Sequence, residues 1–108
     1  MAEVFAVKDP LGRRVVLDDN GWEHISRRHP EVIPFQHELR RVITSPEVIL
    51  EDDAHGYSYS ILGLVSEPYR HSYLRVVVEQ RGNTLLVVTA HFDAWPGKGS
   101  LVWMRRIS

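Results

Sequence analysis

The chain has 108 residues, 44% of them hydrophobic and 25% charged, with a formal net charge of −1; these are values of one globular domain spanning 1–108. The near-zero charge argues against nucleic-acid binding by bulk electrostatics, and the absence of cysteine excludes disulfides and thiolate metal sites. No apolar run approaches the roughly 20 residues that span a bilayer, and Met1 to Asp9 is too short and charged for a signal peptide, so a cytoplasmic protein without membrane association is expected.

Glu3 to Lys8 alternates charged and apolar residues and predicts a strand. Asp9-Pro10-Leu11-Gly12 then supplies a turn and Arg13 to Leu17 a second strand, which together make a short hairpin. Asp18, Asp19 and Asn20 offer N-caps for a helix from Asn20 to Arg28, which Pro30 stops by disfavouring helical geometry at His29. A second helix is predicted from Pro34 to Thr44, because Phe35, Leu39, Val42 and Ile43 make one apolar stripe. After Pro46 the period changes. Strands are predicted at Glu47 to Leu50, Tyr57 to Val65, Tyr73 to Glu79, Leu85 to Phe92 and Leu101 to Arg105, with an acidic turn from Glu51 to Gly56. Helices followed by a strand meander indicate an α+β fold: two N-terminal helices packed on a four-stranded or slightly larger antiparallel sheet, preceded by the hairpin.

The segment from Trp22 to Glu31 concentrates ionisable groups. His24 and Arg28 share one helix face with Arg27 beside them, while Trp22 and Ile25 occupy the face that docks on the sheet. His29 falls at the helix C-terminus. His24 and His29 stand five apart, roughly 140° around an ideal helix, which does not suit a zinc pair; no metal and no cofactor is expected.

In the two strongest strands Leu74, Val76 and Val78 form an aliphatic set, opposite Tyr73, Arg75 and Val77. A two-residue Gly82-Asn83 turn would pair Arg75 with Ala90. A three-residue Arg81-Gly82-Asn83 loop pairs Arg75 with Thr89 and Tyr73 with His91, gathers the polar groups on one face, and is the register expected. Histidine, arginine and a hydroxyl suit phosphoryl transfer on RNA without metal: a base for the ribose 2′-OH, an acid for the leaving oxygen, and a cation for the phosphorane charge. The leading expectation is a metal-independent endoribonuclease, toxin-like or phage-derived. The alternative is a non-catalytic RNA- or protein-binding module.

The pattern Trp22-x-His24-Ile25-x-x-Arg28-His29-Pro30-Glu31 resembles the helix motif of a phage-associated group in the barnase–EndoU–colicin–RelE nuclease superfamily. Val42-Ile43-x-x-Pro46-Glu47-x-Ile49, Tyr73-Leu74-Arg75-Val76-Val77-Val78 and Leu86-Val87-Val88-Thr89-Ala90-His91-Phe92 extend the resemblance along the chain. It implies helices on a four-stranded antiparallel sheet and endoribonuclease chemistry at the sheet face. It also implies RNA as substrate and an antitoxin or immunity protein as a possible partner. His24, Arg28, Arg75, Thr89 and His91 are the candidate catalytic residues, and Arg27, His29 and Tyr73 the candidate substrate-binding ones. Two positions depart from the group: Arg75 stands where lysine is common, and His91 where an aromatic often follows Thr-Ala.

Overall fold

Alternation from Glu3 onward produces the first hairpin, in which β1 (Glu3–Lys8) pairs antiparallel with β2 (Arg14–Asp18). The computed structural model describes residues 2–52 and 56–106. The hairpin tip is held by Asp9, which is 5% exposed and whose Oδ1 accepts the backbone N–H of Leu11 and of Arg13, each at 2.9 Å. Its Oδ2 accepts from Arg13 Nε at 2.8 Å and from the Tyr59 hydroxyl at 2.5 Å. Arg13 also reaches the Tyr59 hydroxyl with Nη2 and lies over the Tyr57 ring, 4.3 Å from its centre. A turn residue thereby ties the tip of the hairpin to a strand some fifty positions along the chain.

Asp18 caps helix α1 (Asp19–Arg28), its carboxylate accepting the Gly21 N–H at 2.7 Å. Ile25 is fully buried and Trp22 packs against the core, while Arg27 and Arg28 occupy the last turn, where the helix dipole favours cations. The predicted second helix is shorter than expected. Pro30 to Phe35 forms a 3-10 helix and helix α2 spans Gln36–Thr44. Pro34 lies inside the 3-10 segment; its missing N–H and its ring are poorly suited to α-helical continuity there. The apolar stripe holds: Leu39, Val42 and Ile43 are fully buried.

The remaining strands are β3 (Val48–Glu51), β4 (Gly56–Leu62), β5 (Tyr73–Arg81), β6 (Thr84–Asp93) and β7 (Ser100–Met104). The acidic turn before β4 includes Asp53, Ala54 and His55, which lie outside the described residues. β4 ends at Leu62, so the strand expected to reach Val65 is shorter.

The expected architecture of two helices on a four-stranded antiparallel sheet is corrected. Among the described residues seven strands form one mixed sheet in the order β1-β2-β6-β5-β4-β3-β7. The hairpin is part of that sheet because β2 runs parallel to β6, pairing Val15 with Leu85 and Val16 with Leu86. Val15, Val16 and Leu17 are consecutive buried residues, as expected of a strand covered on both faces. At the other end β7 pairs with β3 rather than with β6, its predecessor in the chain. The core lies between the helices and the sheet face carrying Tyr59, Ile61, Leu74, Val76, Val78 and Ala90.

The β5–β6 register also differs from the expectation. Gly82 takes φ +61 in a two-residue turn that pairs Arg81 with Thr84 and Val78 with Val87. The ladder then shifts between Val77 and Val78, so that Val77 faces Thr89, Arg75 faces His91 and Tyr73 faces Asp93. Arg75 therefore meets neither Thr89 nor Ala90. The bulge adds one residue to β6 and restores the phase that the turn alone would have lost, so Thr89, His91 and Asp93 still share the face of Arg75.

Candidate functional site

Pairing across three strands sets Ser60, Arg75 and His91 in one row on the sheet face opposite Leu74 and Val76. The next row is Ser58, Val77 and Thr89. Arg75 reaches diagonally to the neighbouring row, donating from Nε to Ser58 Oγ at 3.1 Å. Its Nη1 donates to Asp93 Oδ2 at 2.8 Å and lies 3.3 Å from His91 Nε2, and His91 Nε2 is itself 3.5 Å from Asp93 Oδ2. Guanidinium, carboxylate and imidazole thus form a closed triangle, with the Arg75 side chain 17% exposed and that of His91 23% exposed.

Burial alone would raise the Asp93 carboxyl, but the hydrogen bond from Arg75 and the N–H groups of Trp95 and Ala94 hold it below the usual carboxylate range. His91 is displaced the other way from a paired histidine. Burial, the Arg75 charge and the neighbouring His29 hold it below its ordinary value against the pull of Asp93. His91 is consequently neutral at neutral pH and accepts from Arg75 when its own proton sits on Nδ1. That Nδ1 is buried with no partner among the described residues.

His29 belongs to the same cluster. It ends α1, its N–H bonding Ile25 O at 2.7 Å, and its ring stacks on His91 with centroids 5.1 Å apart. His29 Nδ1 lies 3.8 Å from Glu31 Oε1. Pro30 thus both terminates the helix and turns the histidine before it towards β6.

On the other side of Arg75 an open cavity of about 740 Å³ is walled by Ser58, Arg75, Asp93, Asp52 and the loop residues Trp95, Gly97 and Lys98. Ser58 pins that loop by donating to Pro96 O at 3.0 Å, and Asp93 Oδ1 accepts the Trp95 N–H at 3.3 Å. Gly97 has φ +127, and a Cβ there would stand 3.0 Å from Ser58 Oγ and 3.1 Å from Arg75 Nη2. Gly97→Ala is therefore expected to destabilise the fold by about 1–3 kcal/mol and to displace the guanidinium. Chemical denaturation reads the first effect, and an unchanged midpoint would show that the loop yields freely.

Of the residues expected to form the site, Arg75, His91 and His29 come together. Thr89 is half-buried two positions from His91 and opposite Val77, and Tyr73 is half-buried opposite Asp93. His24, Arg27 and Arg28 are exposed on α1. Arg28 directly precedes His29, whereas the Arg75 hydrogen bonds run to Ser58, Asp93 and His91 rather than to α1. Asp93, Ser58 and Lys98 are not singled out by the sequence pattern. Asp93 was within reach, since strand alternation places it on the face of His91; Ser58 alternates with Tyr57 and Tyr59 in the same way. Among the described residues no group of three His, Cys, Asp or Glu is placed to hold a metal ion. No protein-family model matches the chain, and neither a curated protein nor a solved structure matches it significantly.

Proposed function

We propose that the chain is a metal-independent endoribonuclease in which Arg75 grips the reacting phosphate and His91 takes the proton of the attacking 2′-hydroxyl. The observation that carries this reading is the Arg75–His91–Asp93 triangle beside an open cavity: an oriented guanidinium within 3.3 Å of a neutral-shifted histidine. An entering phosphate competes with Asp93 for the guanidinium, and as Arg75 turns to the phosphate, Nε2 of His91 becomes free to accept a proton. The 2′-oxygen then bonds to phosphorus, the bond to the 5′-oxygen breaks, and the acid protonates the departing oxygen. The products are a 2′,3′-cyclic phosphate and a 5′-hydroxyl. His29, stacked on His91, is the candidate acid. Arg27 and Arg28, exposed in the last turn of α1, are the candidate further phosphate contacts. The resemblance of the two strand motifs supports the same chemistry, whereas the mixed sheet differs from the antiparallel one that the resemblance implies.

The test is cleavage of labelled RNA in chelator by the wild type and by Arg75→Ala. Losing the cation that meets the phosphorane is expected to slow cleavage by about two to three orders of magnitude, and equal rates would end the proposal.

One observation favours a second reading, a non-catalytic binding module. Asp93 and Asp52 balance Arg75 and Lys98 on the cavity wall, and Asp93 already occupies Arg75. Salt-sensitive RNA binding with no turnover by the wild type would decide for it.

A further inference from the structure

The cavity wall carries an unusual side chain. Trp95 is 72% exposed, the most exposed of the large hydrophobic residues in the described part of the chain. Exposure of this kind is common at the tip of a loose loop, but this loop is tied down on both sides of the ring: the Trp95 N–H bonds Asp93, Pro96 O bonds Ser58, and Gly97 lies against Arg75. The braced loop holds a wide aromatic surface out beside the opening. Lys98 follows in the same loop, and Arg75 stands on the same wall.

We propose that Trp95 is the stacking platform for one unpaired base of a single-stranded nucleic acid whose neighbouring phosphate is met by Arg75 and Lys98. The inference rests on the reading of the site as one for RNA and names the form of RNA it takes. Two carboxylates and two cations line the cavity, so charge alone draws nothing in; an aromatic face supplies attraction that does not depend on net charge. It also selects strandedness. A base within a duplex has both faces covered by its neighbours, whereas an unpaired base offers one to the indole.

The experiment measures binding of a fluorescent 2′-O-methyl oligonucleotide, which cannot be cleaved through its 2′-oxygen, by the wild type, Trp95→Ala and Trp95→Phe. Single-stranded, duplex and centrally abasic forms are compared. Trp95→Ala is expected to weaken single-strand binding by about tenfold or more, with Trp95→Phe restoring most of it. The duplex, and a strand whose stacked base is missing, should bind the wild type as weakly as the intact strand binds Trp95→Ala. Equal affinity of wild type and Trp95→Ala overturns the platform, as does tight binding of the duplex or absence of binding by the wild type. A change in self-association alone would assign Trp95 to a protein contact and overturn it too. Failure of cleavage with this binding pattern intact removes only the nuclease reading, and cleavage with binding indifferent to Trp95 removes only the platform.

Discussion

His91→Ala is expected to slow RNA cleavage by about two to four orders of magnitude and to leave RNA affinity nearly unchanged. The asymmetry follows from position. His91 reaches the cavity through Arg75 and Asp93, so it adds little to ground-state binding, while its Nε2, 3.3 Å from the guanidinium nitrogen, stands where the proposed base must act. The pH profile carries a second signature. Burial, Arg75 and His29 hold His91 below its ordinary 6.5, so the acid limb of kcat/KM should fall below that value and follow the loss of the neutral ring. Stability obeys the same sign. The unfolded chain binds the more protons in this range, so the contribution of His91 is complete above pH 6.5 and is lost as pH falls through the lowered folded value. Titration of folding against pH in the wild type and in His91→Ala reads it directly. Wild-type cleavage rates in His91→Ala, or an acid limb at or above 6.5, would contradict the assignment.

The largest effect on folding is expected at Asp9. Asp9→Ala removes an acceptor of four hydrogen bonds and leaves the Arg13 guanidinium and the buried Tyr59 hydroxyl without it. The cost should be about 3 kcal/mol, or roughly 10–20 °C in Tm for a domain of this size. Asp9→Asn keeps the shape and the turn but loses the charge, and should fall between. Burial pushes the Asp9 carboxyl up, yet the Tyr59 hydroxyl, the Arg13 N–H and the Arg13 side chain together hold it below 3.8. The network's contribution is therefore present above pH 3.8 and disappears as pH falls through the lower folded value. Acid unfolding should begin at higher pH in Asp9→Asn than in the wild type. A midpoint unchanged by either substitution would show that Arg13 and Tyr59 find water at no cost.

The sequence pattern made the local elements legible, and their assembly was less so. Alternation in β5 and β6 placed Arg75 and His91 on one face even though the expected register was wrong. The bulge at Val87 and Val88 falls in the run Leu85 to Val88, four aliphatic residues in which a change of phase leaves no mark. The pairing of β2 with β6 and of β3 with β7 joins segments far apart in the chain, and nothing local encodes such neighbours. Only the unbroken apolar run Val15 to Leu17 hints that β2 is covered on both faces. Asp9 was readable as a turn residue, but its bond to Tyr59 depends on how the hairpin meets β4. His24 attracted attention by its spacing from Arg28, a property of the helix alone. His29 is the histidine that reaches β6, because Pro30 ends the helix and places the preceding residue outside helical geometry.

The most direct measurement is the chemistry of the cut ends. A single-stranded RNA and its 2′-O-methyl counterpart are incubated with the wild-type protein in chelator, and the products are resolved by mass. Transfer to the 2′-oxygen at Arg75 and His91 yields fragments ending in 2′,3′-cyclic phosphate, paired with 5′-hydroxyl ends, and leaves the 2′-O-methyl strand whole. Cleavage of the methylated strand, fragments bearing 5′-phosphate, or an RNA left intact by the wild type would contradict it.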